Sequence, residues 1–92
     1  MNDKDLVNII NLIEHPNIPL SLKELGILSL VKFDNFTITV IFALPDINMP
    51  NRKDIANSVK IIAESFGYKM KYDFIQMNKE EIDKFNLQIQ KI

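Results

Sequence analysis

Apolar residues return at helical spacing near the start of the chain. Leu6, Ile9, Ile10 and Ile13 share one side of a helix over residues 3–14, and Asn2 stands where a cap would sit. Pro16 ends that helix, because a residue before proline avoids the helical region. Ile18-Pro19 forces an extended stretch. Ser21-Leu22-Lys23-Glu24 then has the form of a capping box, a short turn that Leu25-Gly26 stops.

The period next changes from helical to alternating. Residues 27–33 and 36–44 read as two strands. Ile27, Ser29, Val31 and Phe33 share a face of the first. Phe36, Ile38, Val40, Phe42 and Leu44 share a face of the second, against Thr37, Thr39, Ile41 and Ala43. Asp34-Asn35 suits a tight hairpin between them, since both tolerate positive φ. A loop over residues 44–51 carries Pro45 and Pro50. A second helix over about 51–66 follows, with Ile55, Val59, Ile62 and Phe66 as its buried stripe and Ala56 and Ala63 in support. Gly67 is a good C-terminal cap, because it reaches the left-handed conformation cheaply. Residues 68–76 alternate Tyr68, Met70, Tyr72 and Phe74 against Lys69, Lys71, Asp73 and Ile75, which predicts a half-exposed strand. Asn78-Lys79-Glu80-Glu81 is a second capping box, opening a short amphipathic helix on Ile82, Phe85 and Ile89. The order is α-β-β-α-β-α, the pattern of one α/β (α+β) domain over residues 1–92.

Composition narrows the chemistry. Apolar residues make up 47% and charged residues 25%, ordinary for a globular chain. The net charge is -1 and there is no long basic run, so no nucleic-acid backbone is an expected partner. There is no cysteine, which excludes disulfides, thiolate metal sites and a cysteine nucleophile. No apolar run approaches the roughly 18 residues of a membrane span. The polar start Met1-Asn2-Asp3-Lys4-Asp5 does not read as a signal peptide. A cytoplasmic location with no membrane partner is the expectation.

Few residues carry candidate chemistry. The loop Pro45-Asp46-Ile47-Asn48-Met49-Pro50 joins a strand to a helix N-terminus, where free backbone N–H groups favour anions. It is either a site or a proline-stiffened connection in which Asp46 or Asn48 makes local turn bonds. His15 is the only histidine, and one histidine is not a metal site by itself. Glu24 fits a cap partner better than a general acid, Lys69 and Lys71 fit a solvated strand face, and Tyr68 and Tyr72 fit packing against helices. No Ser–His–Asp set, metalloprotease motif or dinucleotide fingerprint is present. The residues read as a small α/β domain that is not an enzyme and holds no cofactor.

The segment His15-Pro16-Asn17, followed by Glu24-Leu25-Gly26-Ile27-Leu28, resembles the characteristic motif of the iron–sulfur cluster assembly (FSCA) domain. That domain occurs in PaaD- and SufT-like proteins and at the N-terminus of Mrp/ApbC-type P-loop ATPases. The family pattern is roughly Asp-Pro-Glu, then Glu-Leu-Gly-hydrophobic-Val, then a hairpin, and the resemblance covers about residues 4–76. His15 and Asn17 replace the family's acidic pair. Asn48-Met49-Pro50 replaces the common Gly-Cys-Pro, and a thioether is a poor cluster ligand. Ala43-Leu44-Pro45 looks like the cysteine-lacking branch found in Mrp-type N-terminal domains. No P-loop follows in this chain.

The resemblance implies a two-layer sandwich with helices on one face of a small mixed sheet in the order 1-2-3. Its first two strands are antiparallel, and the second and third are parallel. It also implies a non-enzymatic accessory domain that docks on a P-loop ATPase scaffold or an apoprotein client without a cysteine ligand of its own. His15, Asn17, Asp46, Asn48 and Met49 would form the partner-binding patch, at one end of the sheet. The rival reading is a diverged interaction or dimerisation module unrelated to iron–sulfur chemistry. An open sheet edge would suit that module and is compatible with a homodimer.

Overall fold

The computed structural model describes residues 3–92, apart from the side chain of Asp3. The elements are α1 (Asp3–Ile10), β1 (Leu28–Asp34), β2 (Thr37–Leu44), α2 (Arg52–Ser65), β3 (Lys69–Gln76) and α3 (Lys79–Gln90). The order α-β-β-α-β-α and the strand order β1-β2-β3 are those expected. β1 and β2 pair antiparallel, and β2 and β3 pair parallel. The proposed Asn2 cap lies outside the described residues.

Burial follows the alternation of β2. Ile38, Val40, Phe42 and Leu44 are fully buried, whereas Thr37, Thr39 and Ile41 on the opposite face are only partly covered. The buried face meets α2, which packs mainly on β3 and β2, while α1 packs on α2. Ile55, Ala56, Val59 and Ala63 supply the buried stripe of α2, with Ile62 and Phe66 half-buried at its margin. Leu6, Ile10, Leu22, Leu25 and Ile27 complete the same core. Gly67, at φ 84, lets the chain leave α2, and Tyr68 N–H returns to the Ala63 carbonyl at 3.0 Å. α3 opens on the predicted capping box, with both Asn78–Glu81 bonds formed.

Three local expectations differ from the structure. α1 stops at Ile10 rather than at residue 14. Leu12 and Ile13 make tightened bonds to Ile9 and Ile10, and the chain then turns extended so that Glu14 bridges Ser21. Pairing with the returning chain, in which Leu22 N–H donates to the Ile13 carbonyl, draws these residues out of the helix, and Leu12 is left 76% exposed. Second, Ser29 does not share the inner face with Val31 and Phe33. A β-bulge between Leu28 and Leu30 inserts a residue, so Leu28 pairs with Phe42 and Ser29 is exposed. Third, Phe36 is not a strand residue. Asp34 pairs with Thr37, which makes Asn35 and Phe36 the central turn residues, at φ 45 and 61. Both values are positive, as a two-residue hairpin turn prefers, although Phe is an unusual occupant. Phe36 is 72% exposed, and its ring leans on Tyr68 at 5.7 Å.

Candidate functional site

The predicted patch draws on two loops. The first runs from Ile13 to Ile27 and is tied down by backbone bonds. Leu22 N–H donates to Ile13 O at 2.8 Å, His15 N–H to Leu20 O at 2.9 Å, and Ile27 N–H to Leu22 O at 3.0 Å. Ala43 N–H donates in turn to Ile27 O at 2.8 Å. This relay carries the segment onto the Leu44 end of the sheet, the end from which the second loop departs. The Ser21–Glu24 capping box forms as read, with bonds of 3.0 and 3.1 Å, and Gly26 turns the chain at φ 76.

His15 is buried, with 6% of its surface exposed. Its Nδ1 accepts the Asn17 N–H at 3.0 Å, so the neutral ring carries its proton on Nε2. That Nε2 is buried without a partner. Burial lowers the pKa of His15, because the charged ring loses hydration there. His15 was expected in the exposed patch, but burial keeps its ring inside and disfavours the charged form, so this segment presents the turn residue Asn17, which is exposed.

The second loop is shaped by its own residues and by a long-range clasp. Asp46 Oδ1 accepts the Asn48 N–H at 2.9 Å, and the Asp46 carbonyl accepts the Met49 N–H at 3.0 Å. These are the local turn bonds anticipated for Asp46. Gln76, at the end of β3, donates from Nε2 to Pro45 O at 2.7 Å and accepts the Ile47 N–H on Oε1 at 3.0 Å. Arg52 Nη1 donates to Ile47 O at 2.9 Å while its guanidinium lies 5.5 Å from the Phe74 ring centre. Sequence reasoning missed Gln76, because no short-range pattern announces bonds across 29 and 31 positions. It also missed Arg52, whose bond to Ile47 crosses five positions and follows no standard turn or cap pattern. Asp46 and Asn48 are exposed, and Met49 is half-buried against the core.

The two loops leave the same end of the sheet, but among the described residues no hydrogen bond joins His15–Asn17 to Pro45–Pro50. Two surface hollows lie elsewhere. One is lined by Asn11, Leu12, Glu14, Pro19 and Glu24 among others, the other by Lys23, Gly26 and residues of α3, and neither is lined by a predicted site residue. Among the described residues no group of three or more His, Cys, Asp or Glu side chains gathers to hold a metal ion. No helix of the described residues is long and apolar enough to cross a membrane.

No protein-family model matches this chain. No curated protein matches it either. Among solved structures it is similar to the crystal structure of a domain of unknown function, DUF59, from Bacillus anthracis. The TM-score is 0.71 over 95% of this chain and 92% of that one, at 18% sequence identity. At that identity the likeness establishes a shared fold.

Proposed function

We propose that this chain is a non-enzymatic accessory domain of the iron–sulfur cluster assembly type, acting by docking on a protein partner. The observation that carries the reading is the shared fold with the DUF59 domain, which is an FSCA-type domain, over nearly the whole of both chains. The His15–Leu28 motif adds to it. Its capping box and positive-φ glycine form, and its backbone bonds seat it on the Leu44 end of the sheet. The partner is a P-loop ATPase scaffold or an apoprotein client, as in the cysteine-lacking Mrp-type branch. The contact surface is Asn17 with Asp46, Asn48 and the exposed part of Met49, and His15 holds the turn from inside.

The chain brings no thiolate, so a cluster would be held by the partner rather than here. The test is affinity capture from the native cytoplasm, comparing the wild type with the double variant Asn17→Ala/Asp46→Ala. Both substitutions are at exposed positions, so folding should survive. Loss of an ATPase scaffold or iron–sulfur apoprotein from the variant supports the reading. Undiminished capture by the folded variant contradicts it.

A further inference from the structure

The two edges of the sheet are not alike. β1 is broken by the bulge between Leu28 and Leu30, a device that blunts an edge against further pairing. β3 pairs with β2 at every position from Lys69 to Gln76, with no bulge and no proline. Its other side is open: Lys71, Tyr72, Asp73, Ile75 and Gln76 are exposed, Tyr72 and Ile75 by 45% and 40%.

The backbone parity of β3 is fixed by its framing bonds. Lys69 N–H donates to Phe36 O and Met77 N–H to Leu44 O, both at 2.8 Å, so the odd-numbered residues turn their amides to β2. Met70, Tyr72 and Phe74 therefore turn theirs to the open edge. The Phe74 N–H is met there by the carboxylate of Asp73, its own neighbour, at 2.8 Å. A side chain standing in for a missing strand is what an unpaired edge amide needs.

We propose that two copies of this chain associate through β3, antiparallel about a two-fold axis at Tyr72, to make one continuous six-stranded sheet. About that axis Tyr72 faces Tyr72 of the second copy as a hydrogen-bonded pair, and Met70 faces Phe74 in the same way, using the open amides. Lys71 falls opposite Asp73, twice by symmetry, in the non-hydrogen-bonded position where side chains stand closest. Both lie on the face away from α2, and Lys69 lays its aliphatic stem beside Ile75.

The charges select this register. An axis at Met70 would set Lys69 against Lys71. An axis at Lys71 or Asp73 would oppose like charges directly, and one at Phe74 would leave Asp73 facing Ile75. The strand is thus self-complementary in one alignment, which identifies a second copy as the occupant. This inference uses neither His15 nor the Pro45–Pro50 loop, and stands apart from the docking reading.

Sedimentation equilibrium over a wide concentration range tests it, on the wild type, Lys71→Glu, Asp73→Lys and the double Lys71→Glu/Asp73→Lys. The wild type should show a reversible monomer–dimer equilibrium. Each single variant turns two attractive pairs into two repulsive ones and should weaken the dimer about tenfold. The double variant should recover most of that loss. Hydrogen exchange on the wild type gives a readout that needs no variant: the Tyr72 and Met70 amides should become protected as concentration rises. A chain that is monomeric throughout overturns the proposal. So does a dimer equally tight in all four proteins, or one that leaves the Tyr72 amide as fast-exchanging as in the monomer.

Discussion

Folding should become less favourable as pH falls through the mildly acidic range, and His15 should be the cause. Protonating the ring in the folded state would place a proton on Nδ1, which already accepts the Asn17 N–H, and would put a charge in a site with 6% of its surface exposed. Its folded pKa is therefore below the ordinary value of about 6.5, which the unfolded chain keeps. The unfolded state then binds the proton first, and stability rises with pH across the interval between the two values. Stability is fully present above the unfolded pKa. It is lost as pH falls from there to the folded pKa, with a slope of at most about 1.4 kcal/mol per pH unit.

The chain suits this measurement. It has one histidine and no cysteine, so no other side chain titrates near its ordinary value in that window. Urea unfolding at a series of pH values, on the wild type and on His15→Gln, isolates the effect. Gln keeps an acceptor for Asn17 and cannot charge. The wild-type curve should fall toward pH 5.5 and the variant curve should stay flat. A wild-type curve that rises as pH falls, or parallel curves for the two proteins, would refute the buried neutral ring.

The core and the metal chemistry supply further outcomes. Val40→Ala removes fully buried atoms from the central strand and should cost roughly 1–3 kcal/mol by denaturant melting. Ile41→Ala, on the partly open face, should cost clearly less, and equal losses would contradict the one-sided core. Gly67→Ala meets no atom within 4 Å but must hold φ 84, so about 1 kcal/mol should be lost to backbone strain alone. An unchanged melting curve would show that the turn relaxes. Reconstitution of the purified chain with iron and sulfide should leave no cluster absorbance after desalting, for want of a thiolate. Met49→Cys, at the position that the resemblance to FSCA domains aligns with their cysteine, should gain partial binding, and a wild type that keeps a stoichiometric cluster would overturn the account.

Much of the fold was legible in the chain because the signals were local. The alternation of β2, the stripe of α2, the Gly67 stop and both capping boxes depend on residues within a few positions of each other. The three misreadings share a cause. The bulge at Ser29, the shift of the turn onto Phe36 and the early end of α1 are settled by pairing across the chain. Asp34 stays in β1 because Thr37 is there to pair with it, and Ile13 leaves the helix for Leu22. The site was legible as two segments but not as an arrangement. Nothing near His15 in sequence announces that its ring is buried, and nothing near Pro45 announces the clasp of Gln76.

The central claim is that the Leu44 end of the sheet, at Asn17 and the Asp46–Met49 loop, is where a partner of the iron–sulfur machinery docks. A photo-crosslinking amino acid placed at the exposed Asn48 tests it most directly, with Lys32 on the far strand as the control position. The cross-linked proteins are recovered from lysed native cells and identified. The account predicts an adduct from position 48 with a P-loop ATPase scaffold or an iron–sulfur apoprotein, and none with that protein from position 32. Such an adduct from position 32 alone, or only proteins unconnected with iron–sulfur chemistry at position 48, would contradict it.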